Sequence, residues 1–373
     1  MCNILIPVLH RPSKPTGVCR HAANLAQCLS ASDSIDSIVL IIGSWQRDYF
    51  RASFNLESPK IELVDIDIRN SSISRNKWFI FGLPKVAQKI QPDIIHMSFP
   101  FPFVRQWFNA PVLATIHDLY PYECPENFGY PQVLFNQFFL RQCVSASDGL
   151  ICVSKCTLDA LERYCSALSN NKPTKVIYNI VDFDGVELKK PEQLETSASY
   201  PFLLTVAQHR KNKNLDLLIQ VHSDMLVSEK FEANTQLIIV GSSGPETEEL
   251  HRLVRFLKLE NNVQFLSGID DGGLRWLYEH ASLFVIPSST EGFCLPLVEA
   301  LSLSCPTVCS DIPIFREVGM SKCRYFSLDH DARANLMSAI TSELLHPTSE
   351  QGEPDPRFSS KHVAQQLLSF YQV

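Results

Sequence analysis

No apolar run in these 373 residues approaches the roughly 18–20 residues that a membrane-crossing helix needs. A bilayer-spanning segment is therefore not expected. Twelve cysteines are present, but none forms a Cys-x-x-Cys pair, which argues against the common zinc and redox spacings. Cys152/Cys156 and Cys305/Cys309 stand four apart inside apolar segments and read as small buried hydrophobes. The opening MCNILIPVLHRPSKP turns polar after a few apolar residues, so it reads as a first strand rather than a targeting segment. With no secretory leader in that reading, a disulfide framework is not expected and the setting is a reducing cytoplasm. There is no Gly-x-Gly-x-x-Gly fingerprint, which leaves a dinucleotide cofactor without support. Fixed-period repeats and low-complexity tracts are also missing. The chain has no basic excess: its net charge is −7, which speaks against general nucleic-acid binding.

What is present is the balance of a globular protein, 45% apolar and 20% charged. The length implies two domains of about 150–200 residues each. Charge divides unevenly: 17 Lys and Arg face 16 Asp and Glu up to Gly185, against 16 and 24 in the remainder. The near-neutral first half can approach an anionic membrane more easily than the acidic second half.

Short Val/Ile/Leu-rich runs recur, each followed by turn residues and a segment of helical period. In the first half these are Asn3–Val8, Ser37–Ile42, Asp93–Met97, Val112–Ile116 and Gly149–Val153. In the second they are Phe202–Val206, Gln236–Val240, Val263–Leu266, Leu283–Pro287 and Thr307–Cys309. Continuous apolar strands alternating with helices indicate parallel sheets covered on both faces. The fold class is therefore α/β, with two Rossmann-like domains spanning residues 1–185 and 186–355. Residues 356–373 add a C-terminal amphipathic helix. Ligands of open α/β sheets bind beyond the carboxyl ends of the strands, so the sheets are expected to face a central cleft, with the informative residues just after strands.

The segment LFVIPSSTEGFCLPLVEALSLSCPTVC, residues 283–309, carries most of the chemistry. A buried strand leads into a polar turn with an exposed carboxylate at Glu291, then a helix opening near Pro296 with Glu299 in its first turn. Leu295, the expected cap, has no side-chain oxygen to offer the first helical amides, and proline suits the first helical position. A helix start of that kind favours an anion. The pattern reads as a diphosphate seat with acids on either side to bond hydroxyl pairs of a sugar and a ribose. Solvated loop and first-turn acids are the plainer reading of the same residues.

Two acids beside a diphosphate require cations, and Arg210, Lys211 and Lys213 follow the strand ending at Val206. Their functional role is to neutralise the diphosphate and the charge on a departing nucleotide; the plain reading is a solvated basic turn. His117 closes Thr115-Ile116-His117-Asp118 at another strand end, placed to bond a donor sugar or an attacking hydroxyl. His10 is the next best placed histidine. Gly17, at the end of HRPSKPTG, would let backbone approach a phosphate or an acceptor closely. Asp65 and Asp67 raise the question of a divalent ion, but their alternating strand IELVDIDIR reads as a solvated edge. Asp270-Asp271 reads as a loop and helix cap. Residues 69–108 interleave aromatics and cations, as membrane-surface contacts do, or as helix packing under a basic rim does.

With these residues in view, the chain resembles the retaining glycosyltransferases of the GT-B fold, family 4 (glycosyl transferases group 1). The stretches that carry the resemblance run in family order over most of residues 1–320. They are TGVCRHAANLAQCL, TIHDLYPYECPENF, GLICVSKCTLDALERY, KVIYNIVD, VAQHRKNKNLDLLI and the long segment from LSGIDDGG to FREVG. The most specific is the E-x7-E pattern Glu291…Glu299. The resemblance implies that Glu291 contacts the donor sugar and Glu299 the nucleotide ribose. Backbone at Phe293, Cys294 and Leu295 would approach the diphosphate, Lys213 would bind phosphate with Arg210 or Lys211, and Gly268 and Ile269 would lie near the base. His117 matches the family's histidine near the transferred sugar. Cys294 and Ser304-Cys305 stand where the family usually has glycine, and KNKN replaces the commoner PRKN.

The resemblance implies a retaining, metal-independent hexosyltransferase with no cofactor. Its partners would be a nucleotide-diphosphate sugar, mannose-type or similar, and a glycan or lipid-linked acceptor. Cell-surface polysaccharide assembly is the expected setting. The protein would be cytoplasmic, with peripheral contact at the inner membrane. The alternatives are a GT-B sugar-nucleotide epimerase or hydrolase, a non-catalytic sugar-nucleotide binder, or a metal-dependent transferase using Asp65 and Asp67.

Overall fold

The structure is a computed structural model that describes residues 2–11, 16–54, 56–169, 171–194, 201–348 and 355–372. The chain divides into two compact units. One comprises Met1–Ile180 with Pro356–Val373, and the other Val181–Asp355. The division at Ile180/Val181 precedes the expected boundary at residues 185/186 by a few residues, and residues 195–200 lie outside the described residues.

The first unit is built on a seven-stranded parallel sheet. Its strands are β1 (Cys2–Pro7), β2 (Ile35–Gly43), β3 (Ile61–Ile66), β4 (Ile94–Met97), β5 (Val112–Ile116), β6 (Gly149–Cys152) and β7 (Thr174–Val176), in the order β3-β2-β1-β4-β5-β6-β7. The second unit carries six strands: β8 (Phe202–Val206), β9 (Gln236–Val240), β10 (Val263–Leu266), β11 (Leu283–Ile286), β12 (Thr307–Ser310) and β13 (Arg324–Phe326). Their order is β10-β9-β8-β11-β12-β13, and every described pair in both sheets is parallel. Central strands are buried end to end, as in β5 and β9, because helices cover both faces. On one face of the first sheet, Ile4 and Ile38 pack against the helix Gly17–Ser30 and the C-terminal helix Ser360–Tyr371. On the other, Leu5, Ile95 and Ala114 pack against Phe79, Leu83, Leu140 and Leu161.

The two strand orders share one consequence. The order in which strands are added reverses between the parallel neighbours β1 and β4 in the first sheet and between β8 and β11 in the second. Loops leaving two such neighbours diverge to opposite faces and leave a crevice at the carboxyl ends. Local chemistry sets the flanking helices. Thr16 caps the helix that opens at Gly17, its Oγ1 accepting from the Cys19 amide. Gly17 is thus the first helical residue, and residues 12–15 of the preceding loop lie outside the described residues. Asp270 caps the helix Asp271–His280 through the Gly273 amide at 2.8 Å.

All twelve cysteines are free and all but Cys156 are buried. Asp65 sits on the edge strand β3, ion-paired with Arg47, and Asp67 lies just past its end, accepting from Ser44. Among the described residues no group of three or more His, Cys, Asp or Glu is gathered to hold a metal, and no helix is long and apolar enough to cross a membrane.

Candidate active site

The reversal point of the second sheet brings the loops after β8 and β11 together. Side chain and backbone sew them to each other. Asn214 Nδ2 donates to the Pro287 carbonyl at 2.8 Å, Asn212 Nδ2 to the Thr290 carbonyl at 3.1 Å, and the Ser289 amide to the Asn212 carbonyl at 2.8 Å. Asn214 holds a left-handed conformation, φ 47°, which asparagine tolerates better than most residues. That turn ends the short 3₁₀ segment Lys211–Lys213 and starts the helix Leu215–Val227.

The sewn loops bring Lys213 and Glu291 together: Nζ lies 2.5 Å from Oε1, and the side chains keep only 14% and 8% of their exposure. Ser288 Oγ donates to the same carboxylate oxygen at 2.8 Å. Glu291 is therefore not the exposed loop acid that the sequence suggested. Burying it is feasible because a cation and a hydroxyl compensate the desolvation. The other two basic candidates are not drawn in. Arg210 Nε donates to Gln208 at 2.8 Å, and Lys211 is exposed.

The helix after β11 spans Leu295–Ser302, and its cap is Cys294, one residue earlier than expected. Cys294 is left-handed at φ 68° and makes no side-chain hydrogen bond to the helix start. Pro296 follows at the second helical position. Glu299 is the fifth helical residue, so it lies in the second turn and not the first. It is buried and accepts from the Tyr278 hydroxyl at 3.0 Å. Burial, and then the neighbouring Glu299 charge, push the Tyr278 phenol well above its ordinary range, so it stays a donor. Burial and the Glu291 charge likewise hold the Cys294 thiol protonated. Phe293 is buried beneath this turn.

Gly268, at φ 72°, and Ile269 follow β10 in the same sheet, and Ile269 packs near Gly273. Sequence reading missed the glycines that let the β8 exit close. A Cβ on Gly241 would lie 1.9 Å from the Ala207 carbonyl oxygen, and one on Gly244 2.3 Å from that of His209. No sequence motif marks these contacts.

In the first unit, His117 follows β5 and is half-buried. Its Nε2 lies 2.8 Å from the Ser98 carbonyl, which only accepts, so Nε2 carries the proton and Nδ1 offers a lone pair. Burial holds the ring neutral, with its pKa lowered to about 4. The carboxylate of the neighbouring Asp118 accepts from the Tyr120 amide at 3.1 Å. His21, which the sequence did not single out, packs edge-on at 4.6 Å between ring centroids and bonds Asn179 Oδ1 through Nδ1 at 2.7 Å. His10 completes the group through Phe99, its ring 5.8 Å away, and burial lowers its pKa to about 4. Gly17 takes part in helix initiation beside Thr16.

Comparison with known proteins agrees with this architecture. Residues 15–184 match Glycosyltransferase Family 4, and residues 187–334 match Glycosyl transferases group 1. The chain is similar to the O-antigen chain mannosyltransferase RfbU of Salmonella typhimurium, 29% identical over 329 residues that cover 85% of this chain and 84% of that protein. It is also similar to O-antigen chain mannosyltransferase B of Escherichia coli, 24% identical over 322 residues, 81% of each. Among solved structures, sucrose-phosphate synthase from Thermosynechococcus elongatus superposes with a TM-score of 0.76 at 18% identity, covering 100% of this chain and 98% of that one. The chain belongs to the GT-B-fold glycosyltransferases of family 4, the glycosyl transferases group 1.

Proposed function

We propose that this glycosyltransferase is a retaining, metal-independent enzyme. It takes a hexose, mannose-type or similar, from a nucleotide-diphosphate sugar and passes it to a glycan or lipid-linked acceptor in cell-surface polysaccharide assembly. The observation that carries the reading is the Lys213–Glu291 pair at the β8/β11 reversal, beside a helix start with no side-chain cap and with Glu299 buried in its second turn. The mannosyltransferase names of two relatives support the sugar class and the pathway.

In this reading the diphosphate rests against the amides that open the helix Leu295–Ser302, at backbone of Phe293, Cys294 and Leu295. A lysine ammonium has three N–H donors, and Glu291 takes one, so the same Nζ serves a phosphate oxygen. Arg210 and Lys211 add positive charge at the rim. Glu291 bonds hydroxyls of the sugar and Glu299 those of the ribose, with Gly268 and Ile269 beside the base. The bond from the anomeric carbon to the diphosphate breaks as the bond to the acceptor oxygen forms on the same face. The acceptor proton passes to the departing phosphate oxygen, and charge on that oxygen is stabilised by Lys213 and the helix amides. The acceptor is held by the first unit, where His117 Nδ1 accepts from a sugar hydroxyl. No metal and no cofactor take part, and the protein works peripherally at the cytoplasmic face of the membrane.

The test incubates the protein with GDP-, UDP- and ADP-sugars, with and without a lipid-linked saccharide acceptor, in chelator. Expected is acceptor-dependent glycoside formation with the anomeric configuration of the donor. An inverted product, a requirement for divalent ions, or free sugar and epimer formed equally without acceptor would refute it.

A further inference from the structure

The first unit carries a ring cluster of its own at the reversal point of its sheet, where the exits of β1, β4 and β5 meet. Ser98, just past β4, ties the three together. Its Oγ donates to the Pro7 carbonyl at 3.0 Å, and its carbonyl accepts from His117 Nε2 at 2.8 Å. The Thr157 hydroxyl holds the His117 carbonyl at 3.3 Å. Beyond β1, Trp45 Nε1 donates to the His10 carbonyl and Asn70 Nδ2 to that of Arg11, both at 2.9 Å. Backbone bonds thus fix the loops that present His10, Phe99 and His117.

The three rings adjoin. Phe99 lies between the imidazoles, its centroid 5.8 Å from that of His10 and 6.2 Å from that of His117, whose plane is within 24° of parallel. Phe101 supports it at 5.5 Å and is itself stacked on the buried Phe79 at 3.9 Å, which anchors the cluster in the core. His10, Phe99 and His117 each keep part of their surface exposed.

Lone pairs flank the central ring. The Thr16 hydroxyl gives its one proton to the Cys19 thiol at 3.3 Å. His10 Nδ1, 3.3 Å from the same oxygen, is therefore a donor, and Nε2 offers a lone pair. His117, with Nε2 committed to Ser98, offers another at Nδ1. Burial keeps both imidazoles neutral. Arg75, whose charge reaches His10, is already bonded to Asn70 and Ser72.

An apolar face between two neutral acceptors suits a ligand with C–H groups on one side and hydroxyl donors around its edge. A carboxylate brings no proton to either lone pair, and a flat base with few donors leaves them unpaired. A pyranose has both features. We propose that Phe99 is the platform on which a terminal, uncharged pyranose of the acceptor stacks, with His10 Nε2 and His117 Nδ1 accepting from hydroxyls at its edges. Phe99 and His10 thereby select the acceptor. That the sugar is the acceptor rests on the function proposed above; its binding to these rings does not.

Saturation-transfer NMR on the full chain, with no donor present, reads that binding. The probes are the methyl glycosides of mannose, galactose and glucuronic acid. At least one neutral glycoside should receive saturation on the ring C–H protons of one face, and the glucuronide should receive none. Phe99→Leu, which keeps an apolar side chain over Phe101, should weaken binding about tenfold, and Phe99→Tyr should restore it. His10→Phe keeps a ring but removes the accepting nitrogen, and should weaken binding while the same sugar face stays saturated. In transfer assays Phe99→Leu should raise the acceptor KM about tenfold and leave the donor KM in place. No binding of either neutral glycoside, preference for the glucuronide, or unchanged affinity in the folded Phe99→Leu and His10→Phe variants would overturn the proposal. Normal acceptor KM in Phe99→Leu would remove the platform and leave the transferase reading standing. Glycoside binding at Phe99 in a protein that transfers nothing would do the reverse.

Discussion

The ammonium of Lys213 and Oε1 of Glu291 stand 2.5 Å apart in a pair with 14% and 8% of side-chain exposure remaining, joined across loops 78 residues apart in sequence. Such a pair holds two strand exits in register. It also holds a cation and an acid at the place where the fold leaves room for a ligand.

Breaking the pair from one side leaves a charge in partly dry surroundings. Lys213→Ala and Glu291→Ala should each lower transfer by about 10²–10³-fold, the loss typical of removing one group that stabilises developing charge. Each should also lower stability, and the double variant should lose less than the two single losses added. Thermal unfolding of the three variants measures this; strict additivity would show that the pair does not couple.

Tyr278→Phe removes the hydroxyl 3.0 Å from Glu299 and leaves the ring contact with Phe284 in place. In the proposed function Glu299 bonds the ribose, so the donor KM should rise several-fold while kcat changes little. Initial-rate kinetics decide it, and a loss confined to kcat would contradict the role given to Glu299.

The backbone at Cys294 makes its own prediction. A β-branched residue at φ 68° is strained by about 1–3 kcal/mol, so Cys294→Val should unfold earlier in denaturant than Cys294→Ala. Gly241→Ala should be harsher than either, because its Cβ meets a backbone oxygen at 1.9 Å and not a flexible side chain.

These strained positions mark the limit of what the chain reveals by itself. The ten strands found as apolar runs are the buried ones, together with β10. Two of the other three, β7 and β13, are edge strands of three residues each. A short edge strand is buried on too few sides to need a continuous apolar run. The edge strand β3 showed only as alternation, for the same reason. Glu291 and Glu299 were legible because their spacing survives in sequence. The burial of Glu291 was not, since Lys213 reaches it from another loop. Nor was His21, whose partner Asn179 lies 158 residues away. The helix cap was placed one residue late because a left-handed cysteine leaves no capping signature.

Acid should destabilise the first unit early. Burial lowers the pKa of His10 and His117 to about 4 and that of His96 to about 3, against about 6.5 in an unfolded chain. Between those values the unfolded chain binds protons that the folded chain refuses. The neutral rings thus contribute stability above about pH 6.5, and it is lost as pH falls toward 4. The thermal midpoint should drop from pH 7 to pH 5, and His96→Gln should flatten that slope. A slope unchanged in the variant would mean that His96 titrates normally.

Calorimetric titration of GDP- and UDP-sugars into the wild-type protein and the folded Lys213→Ala variant tests the donor seat most directly. Saturable binding of at least one nucleotide sugar, weakened about tenfold or more in the variant, is the predicted result. Equal affinity in both proteins would contradict a diphosphate bound between Lys213 and the helix that begins at Leu295.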